Sequence, residues 1–296
     1  MVTGKIHDYF PEVVKTENRE SFAGTVAAWA MREPSVSGLV LIGSQVRAAD
    51  DAIWRADAQS DWDFQVISAR PRMFADSAWT AGLVGRKLRT YAPRMTRVGR
   101  VPKVNMIFEG TEADLVILPL GLMRLTKLLV ALGLHRREGR VRRGLQDLAI
   151  VARPGWRFLK GAGKWEPLYQ RVVAEVADVQ LDDEAARRLA DSFVCDYVWT
   201  LRKLDRGELL AAQRMLHQSL AETNFRLLHE LKLRRGERSF PEARRIERVA
   251  GAELAGVTVD SPLAAPALRS AAEKCAATCR ELMGALVGVG WHWPAL

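Results

Sequence analysis

Three short groups of residues within the first 120 positions have the types and spacing that phosphoryl chemistry needs. Gly43-Ser44 follows the apolar run Leu39-Val40-Leu41-Ile42, Asp61-Trp62-Asp63 opens a second apolar run, and Asp114 starts a third. A glycine lets the backbone approach a ligand without a side-chain clash, and a serine hydroxyl beside main-chain N–H groups suits phosphate oxygens. Carboxylates separated by one residue can share divalent cations, and two such ions clamp the attacking and leaving oxygens of an in-line displacement. Together the groups fit transfer of a nucleoside monophosphate from a nucleoside triphosphate to an acceptor. Any one of them alone is a short motif that surface acids at strand ends produce by chance. Their order, each at a strand edge, carries the reading.

The elements that must position these residues follow from periodicity. Residues 39–42 read as a buried strand. In DWDFQVI, Asp61 and Asp63 are two residues apart and share one face, while Trp62 and Phe64 point to the other, into the core. Gly110-Thr111, between the apolar runs VNMIF and ADLVIL, suggests a hairpin whose antiparallel pairing brings Asp114 to the edge of the same site. Residues 19–31 have helical spacing with Phe22, Val26 and Trp29 on one side, ended by Glu33-Pro34-Ser35. Strands at 39–42, 64–67, 104–108 and 115–118 with helices between them predict a small mixed α/β domain. The run 122–134, interrupted by Arg124 and Lys127, reads as a core helix.

Beyond it, residues 136–164 are rich in Arg, Gly and Pro and read as a connector, with a short hairpin between 148–151 and 156–159. Helical spacing dominates from Trp165 onward. Asp182 or Asp183 caps a helix to about residue 204, and 208–233 and 264–287 predict two more.

This arrangement resembles the DNA polymerase β-like nucleotidyltransferase superfamily and, within it, the aminoglycoside 6-adenylyltransferases, streptomycin-modifying antibiotic-resistance enzymes. Phe74, Trp79, Gly85 and Pro93 are similar to that family's pattern after the second strand, and ADLVILPL with the following LMRLTKLLVALGL to its third-carboxylate strand and helix. DSFVCDYVWTLRKLDRGELLAA (191–212) is similar to the helix that opens its C-terminal domain; the resemblance spans residues 18–215. There are departures. Gln45 stands where the family commonly has arginine, with Arg47 two residues later. The segment between Ser44 and Asp61 is somewhat long, and Ser192 occupies an acidic position, with Asp196 one turn on.

The resemblance implies an α+β chain: a mixed-sheet nucleotidyltransferase domain over 1–150 and an all-helical acceptor-binding domain over 151–296. It implies an adenylyltransferase that uses ATP as co-substrate and Mg2+. Gly43 and Ser44 would bind the triphosphate, and Asp61, Asp63 and Asp114 would be the catalytic metal ligands, Asp114 alternatively the general base. The acceptor would be an aminoglycoside-like hydroxyl compound, or, keeping the chemistry, a protein side chain or RNA end docked on a basic surface.

The helix over 184–204 has Leu189, Phe193, Tyr197, Leu201 and Leu204 on an apolar face, bordered by Ser192, Asp196, Trp199 and Lys203. Arg202 falls where the family has a triphosphate-associated lysine, so Arg202 and Lys203 are candidates for ATP and Asp196 and Trp199 for the acceptor. The plain alternative is an exposed helix border with ordinary charge pairs.

The 48% hydrophobic content and 27% charge are those of a globular protein. No apolar run approaches the ~18 residues that span a bilayer, and MVTGKIHDYF reads without an apolar signal region. Three cysteines argue against a disulfide framework and for a reducing cytoplasm. No membrane partner is expected, and either a monomer or a homodimer is compatible. The net charge of +9 suits a polyanionic ligand such as a nucleotide. It suits a polycationic aminoglycoside less, unless acids gather in the acceptor pocket. Arg136-Arg137, Arg142-Arg143, Arg234-Arg235 and Arg244-Arg245 offer a nucleic-acid surface without a recognition module.

Cys275 and Cys279 lack a fourth metal ligand and read as buried thiols. His217 and His229 have no supporting triad. Trp54 and Trp62 read as packing residues, and Trp291 and Trp293 as anchors of the tail.

Overall fold

The apolar run before Gly43 forms strand β1 (Val36–Ile42), and the run after Asp61 forms β2 (Trp62–Ser68), antiparallel to it. The computed structural model describes residues 17–51, 53–96, 101–136, 139–177, 181–239, 245–253 and 257–295, and the chain divides into two units, Met1–Asp178 and Val179–Leu296. MVTGKIHDYF, Arg137 and Arg244 lie outside the described residues.

In the first unit, β3 (Leu88–Met95), β4 (Pro102–Phe108), β5 (Thr111–Pro119) and β6 (Arg157–Lys160) complete a sheet of order β3-β4-β5-β2-β1-β6. Its pairs are antiparallel except β2 with β5, which run parallel. The hairpin at Gly110 is there: Phe108 faces Thr111, and Gly110 takes φ +77°.

Period-2 alternation sends the two sheet faces to different cores. On one face α1 (Glu17–Arg32) lays Phe22, Val26 and Trp29 against Leu39, Leu41, Phe64 and Leu115. Phe22 is fully buried, so truncating it to alanine would cost roughly 3–5 kcal/mol. Phe74, Trp79 and Tyr91 join this core, with the Trp79 indole donating to the Tyr91 hydroxyl (2.9 Å) and that hydroxyl donating to the Phe74 carbonyl (2.8 Å). Trp62 and Trp54 are buried. On the opposite face lie Val40, Ile42, Ile67 and Leu118, under α2 (Leu120–Ala131), α3 (Arg140–Ala152) and α4 (Ala162–Glu175).

Two expectations need correction, and one strand was not expected. Residues 148–151 are helix, the end of α3, and the expected hairpin partner 156–159 becomes β6, which pairs with β1 through Val40 and Phe158. Strand β3 was unforeseen. The expected core helix is covered on one side only: Met123 and Val130 are buried, whereas Leu122, Leu125 and Leu128 are about half exposed. β6 completes the first sheet and α4 packs on it, both within the unit Met1–Asp178.

The second unit is helical: α5 (Asp183–Asp205), α6 (Leu209–Met215), α7 (Glu222–Arg234) and α8 (Ala265–Val287), with a π-helical segment at Leu216–Ala221 joining α6 to α7. The Asp182 carboxylate caps α5 by accepting from the Ala185 N–H at 2.6 Å. Phe193 and Leu204 sit in the core with Leu227, Leu231 and Cys279, and Leu189, Tyr197 and Leu201 pack against it. Trp291 donates to Asp191 (3.0 Å) and Trp293 meets Phe193 and Tyr197 edge-on, so the tail is anchored by both indoles. Arg234 pairs with Glu230 and Asp183, each at 2.8 Å, and Arg235 with Glu253 at 2.8 Å. These two arginines are committed to the unit's own acids. No helix among the described residues is long and apolar enough to cross a membrane.

Burial pushes the Cys275 and Cys279 thiols up to about 11 and about 12, while Cys195 is exposed. Because the thiolate is the reactive form, iodoacetamide at pH 8 should label Cys195 alone in the folded protein and all three cysteines after denaturation. Equal native labelling of the three would contradict the packing of α8.

Candidate active site

Parallel pairing of β2 with β5 sets Asp63 directly beside Asp114, at the ~4.8 Å spacing of neighbouring strands. Asp61 lies just before β2, two residues from Asp63 and on its face. One oxygen from each of the three carboxylates lies within 4.8 Å of the others, and all three side chains are half-buried. Three hard oxygen donors converging in this way repel one another, a repulsion that the Lys103 ammonium offsets at Asp114 alone. That donor set fits Mg2+, which takes few carboxylates and completes its shell with water and phosphate oxygens.

The Gly43-Ser44 turn completes the group. Ile42 pairs with Asp63, so the chain leaves β1 beside the carboxylates. Gly43 has φ +76°, and a Cβ there would collide with the Asp63 carboxylate, standing 2.9 Å from its Cγ. Both the backbone and the space require glycine. Ser44 is buried, and its Oγ has no hydrogen-bond partner among the described residues. An orphaned buried hydroxyl costs about 1–3 kcal/mol unless something satisfies it, and a phosphate oxygen is the acceptor this turn would offer it. The turn itself is tied down: the Ser44 carbonyl accepts from Ala56 N–H at 3.1 Å, and the Gln45 amide donates to the Asp61 carbonyl at 3.3 Å. Thus Gln45, where the resembled family has arginine, links the turn to the start of β2. Arg47 stands 4.0 Å from Asp51.

Two residues of this site escaped the sequence reading. Asn105 and Lys103, on β4, both reach the Asp114 carboxylate, the amide by a hydrogen bond and the ammonium by an ion pair. The signal was present. A hairpin closing Phe108 on Thr111 pairs Asn105 with Asp114, and Lys103 shares the face of Asn105. Counting back from the turn would have found them.

The remaining candidates lie on α5, in the second unit. Trp199 is 55% exposed, Arg202 is exposed, and Asp196 is half-buried. The Asp196 carbonyl accepts from the Thr200 hydroxyl (2.7 Å), and Lys203 pairs with Glu208 at 2.7 Å. The carboxylate group is complete without them.

No family model and no curated protein matches the chain. Among solved structures it is similar to an aminoglycoside 6-adenyltransferase from Bacillus subtilis, at 12% identity and a TM-score of 0.38, covering 92% of each chain. It is also similar to a nucleotidyltransferase-like protein from Exiguobacterium sibiricum, at 13% identity and a TM-score of 0.33, covering 90% of this chain and 74% of the other.

Replacing Gly43 by alanine tests the turn. The positive φ costs a residue with a Cβ ~1–2 kcal/mol, and the collision displaces Asp63. Gly43→Ala should therefore lower the melting temperature by a few degrees and lose metal-dependent pyrophosphate release. Wild-type turnover in this variant would remove Gly43 from the site.

Proposed function

We propose that this protein is a metal-dependent nucleotidyltransferase that moves AMP from ATP to a hydroxyl of a small molecule, in the cytoplasm. The observation that carries the reading is the convergence of Asp61, Asp63 and Asp114 beside a turn with an obligate glycine and an orphaned buried serine hydroxyl. Surface acids at strand ends have no reason to meet such a turn.

Asp61, Asp63 and Asp114 would hold Mg2+. When bound, the metal neutralises phosphate charge and polarises the α-phosphate as a Lewis acid. The Gly43-Ser44 turn holds triphosphate oxygens through its main-chain N–H groups and the Ser44 hydroxyl. Asp114 either shares in ligation or accepts the proton of the attacking hydroxyl, oriented for both by Asn105 and Lys103. The α5 residues enter this reading through the family resemblance alone, Arg202 and Lys203 for ATP and Asp196 and Trp199 for the acceptor. Lys203 would have to give up its ion pair with Glu208.

The resemblance puts aminoglycosides, streptomycin first, on the panel of acceptors, beside hydroxyl compounds that carry no positive charge. Transfer to a macromolecule on a basic surface loses support at Arg234 and Arg235, which are consumed in ion pairs. The test incubates the protein with ATP, Mg2+ and a panel of hydroxyl compounds, reading pyrophosphate release and the mass of the acceptor. A gain of one adenylyl group, abolished by EDTA, is expected. The absence of both pyrophosphate release and thermal stabilisation by ATP with Mg2+ would overturn the proposal.

A further inference from the structure

Between the sheet and helices α2 and α3, the first unit contains a cavity of about 350 Å3. Its floor is Gln65 of β2 with Val116 and Leu118 of β5, apolar side chains such as Met123, Leu145 and Leu148 line its helical side, and it opens to solvent past Leu122. Resting on the nucleotidyl-transfer reading, we propose that this cavity receives the body of the acceptor. The acceptor is then a hydroxyl compound of one or two apolar rings, without the several positive charges of an aminoglycoside.

Position is the first argument. Gln65 is two residues beyond Asp63, and Val116 two beyond Asp114, so alternation puts floor and carboxylates on one sheet face. Two residues of strand span about 7 Å, within reach of a hydroxyl on a ring seated in the cavity. Sheet order supplies the second argument. The phosphate turn follows β1, on one side of β2, whereas Asp114 and the cavity's Val116 and Leu118 lie on β5, on the other side. In-line displacement requires the attacking oxygen and the leaving pyrophosphate on opposite sides of the α-phosphorus. An acceptor in the cavity approaches from the β5 side while pyrophosphate departs toward β1. The acceptor oxygen forms its bond to the α-phosphorus as the bond to the bridging oxygen breaks. Pyrophosphate leaves with that electron pair, and the hydroxyl proton passes to the Asp114 carboxylate.

Chemistry is the third argument. Asp147 is the one acid among the lining residues, and it already has an interaction partner. A polycation would find no set of acids there, and its desolvated charges would be costly. The polar features are modest: hydroxyls of Thr96 and Thr126, and the amide of Gln65. The buried Tyr169 hydroxyl donates to the Gln65 carbonyl oxygen at 2.6 Å, which leaves the Gln65 NH2 group as donor for one polar atom of the ligand. A small apolar cavity with a few placed polar groups is the usual form of a small-molecule site, and this volume lies at the low end of the range. The cavity also offers the overall cation charge no conflict, because its occupant is uncharged.

Gly144 of α3 gives the test. It lines the cavity, and a Cβ added there meets nothing within 4 Å. Gly144 is exposed at the rim, so Gly144→Phe should lay its ring across the opening, and the helix tolerates the change because every residue except proline suits a helix better than glycine. The probes are 2-naphthol and 1-adamantanol, one flat and one globular, titrated by NMR into the full-length protein. At least one should bind the wild type and bind Gly144→Phe at least tenfold more weakly, while ATP with Mg2+ raises the melting temperature of both proteins equally. Asp63→Asn should keep probe binding and lose pyrophosphate release. The proposal is overturned if both probes bind wild type and Gly144→Phe alike. It is also overturned if neither probe binds the wild type. Probe binding by a wild type that never releases pyrophosphate would defeat nucleotidyl transfer, and with it the acceptor role, while leaving the cavity a binding site.

Discussion

Asp61→Asn and Asp63→Asn are each expected to reduce metal-dependent pyrophosphate release by roughly a thousandfold or more, since several kcal/mol of charge stabilisation depends on the ligand set. An amide keeps the shape of the carboxylate but brings no charge to a dication. The same variants should fold at least as stably as the wild type when metal is absent. Three carboxylate oxygens within 4.8 Å of one another repel in the metal-free protein, and removing one charge relieves that repulsion. The expected signature is therefore double: activity falls while the metal-free melting temperature holds or rises, and added Mg2+ with ATP no longer raises it. Near wild-type pyrophosphate release by either variant, with an accepted substrate present, would sink the assignment. A loss of activity accompanied by a lower melting temperature would point instead to a structural role.

What could be read from the sequence was what local periodicity encodes. DWDFQVI alternates cleanly, so strand β2 and the shared face of Asp61 and Asp63 were legible. So was α5, with its acidic cap and its apolar face through Phe193 and Leu204. The hairpin at Gly110 followed from a turn between apolar runs. Strand β3 was hidden because it is a sheet edge with little burial on either side, carrying Arg89, Arg94 and Pro93, a composition edge strands tolerate and interior ones do not. Helix α3 was masked by its arginines and Gly144. Its apolar residues Val141, Leu145, Leu148 and Ala152 keep helical spacing and would have revealed it. The pairing of β6 with β1 joins residues more than a hundred apart, and no local pattern announces such a contact. Lys103 and Asn105 stood between these cases, legible only once a hairpin register was counted through to Asp114.

Asp114 is expected to matter for the chemical step, and Asp196 for holding the acceptor. Asp114 starts no contact of its own choosing: the sheet sets it beside Asp63, and Asn105 and Lys103 hold its carboxylate from the neighbouring strand. Its orientation is thus fixed before substrate arrives, which a general base or a shared metal ligand requires, because proton acceptance demands hydrogen-bond reach to the attacking hydroxyl. Asp196 is on α5, half-buried, and among the described residues its carboxylate has no comparable pair of donors; Ser192 takes the acidic position one turn earlier. Asp114→Asn should then lower kcat by about 10²–10⁴-fold, the usual worth of a positioned base, and leave stabilisation by ATP in place. Asp196→Asn should chiefly raise the KM for the acceptor, with kcat within a few-fold of wild type, as loss of an interaction made equally in ground and transition states does. Lys103→Met separates orientation from charge: if the ammonium serves only to hold Asp114, kcat falls by less than in Asp114→Asn and the KM for ATP stays unchanged. A collapse of kcat in Asp196→Asn, with Asp114→Asn nearly unaffected, would transfer the proton-accepting role to the helical unit and reverse the assignment.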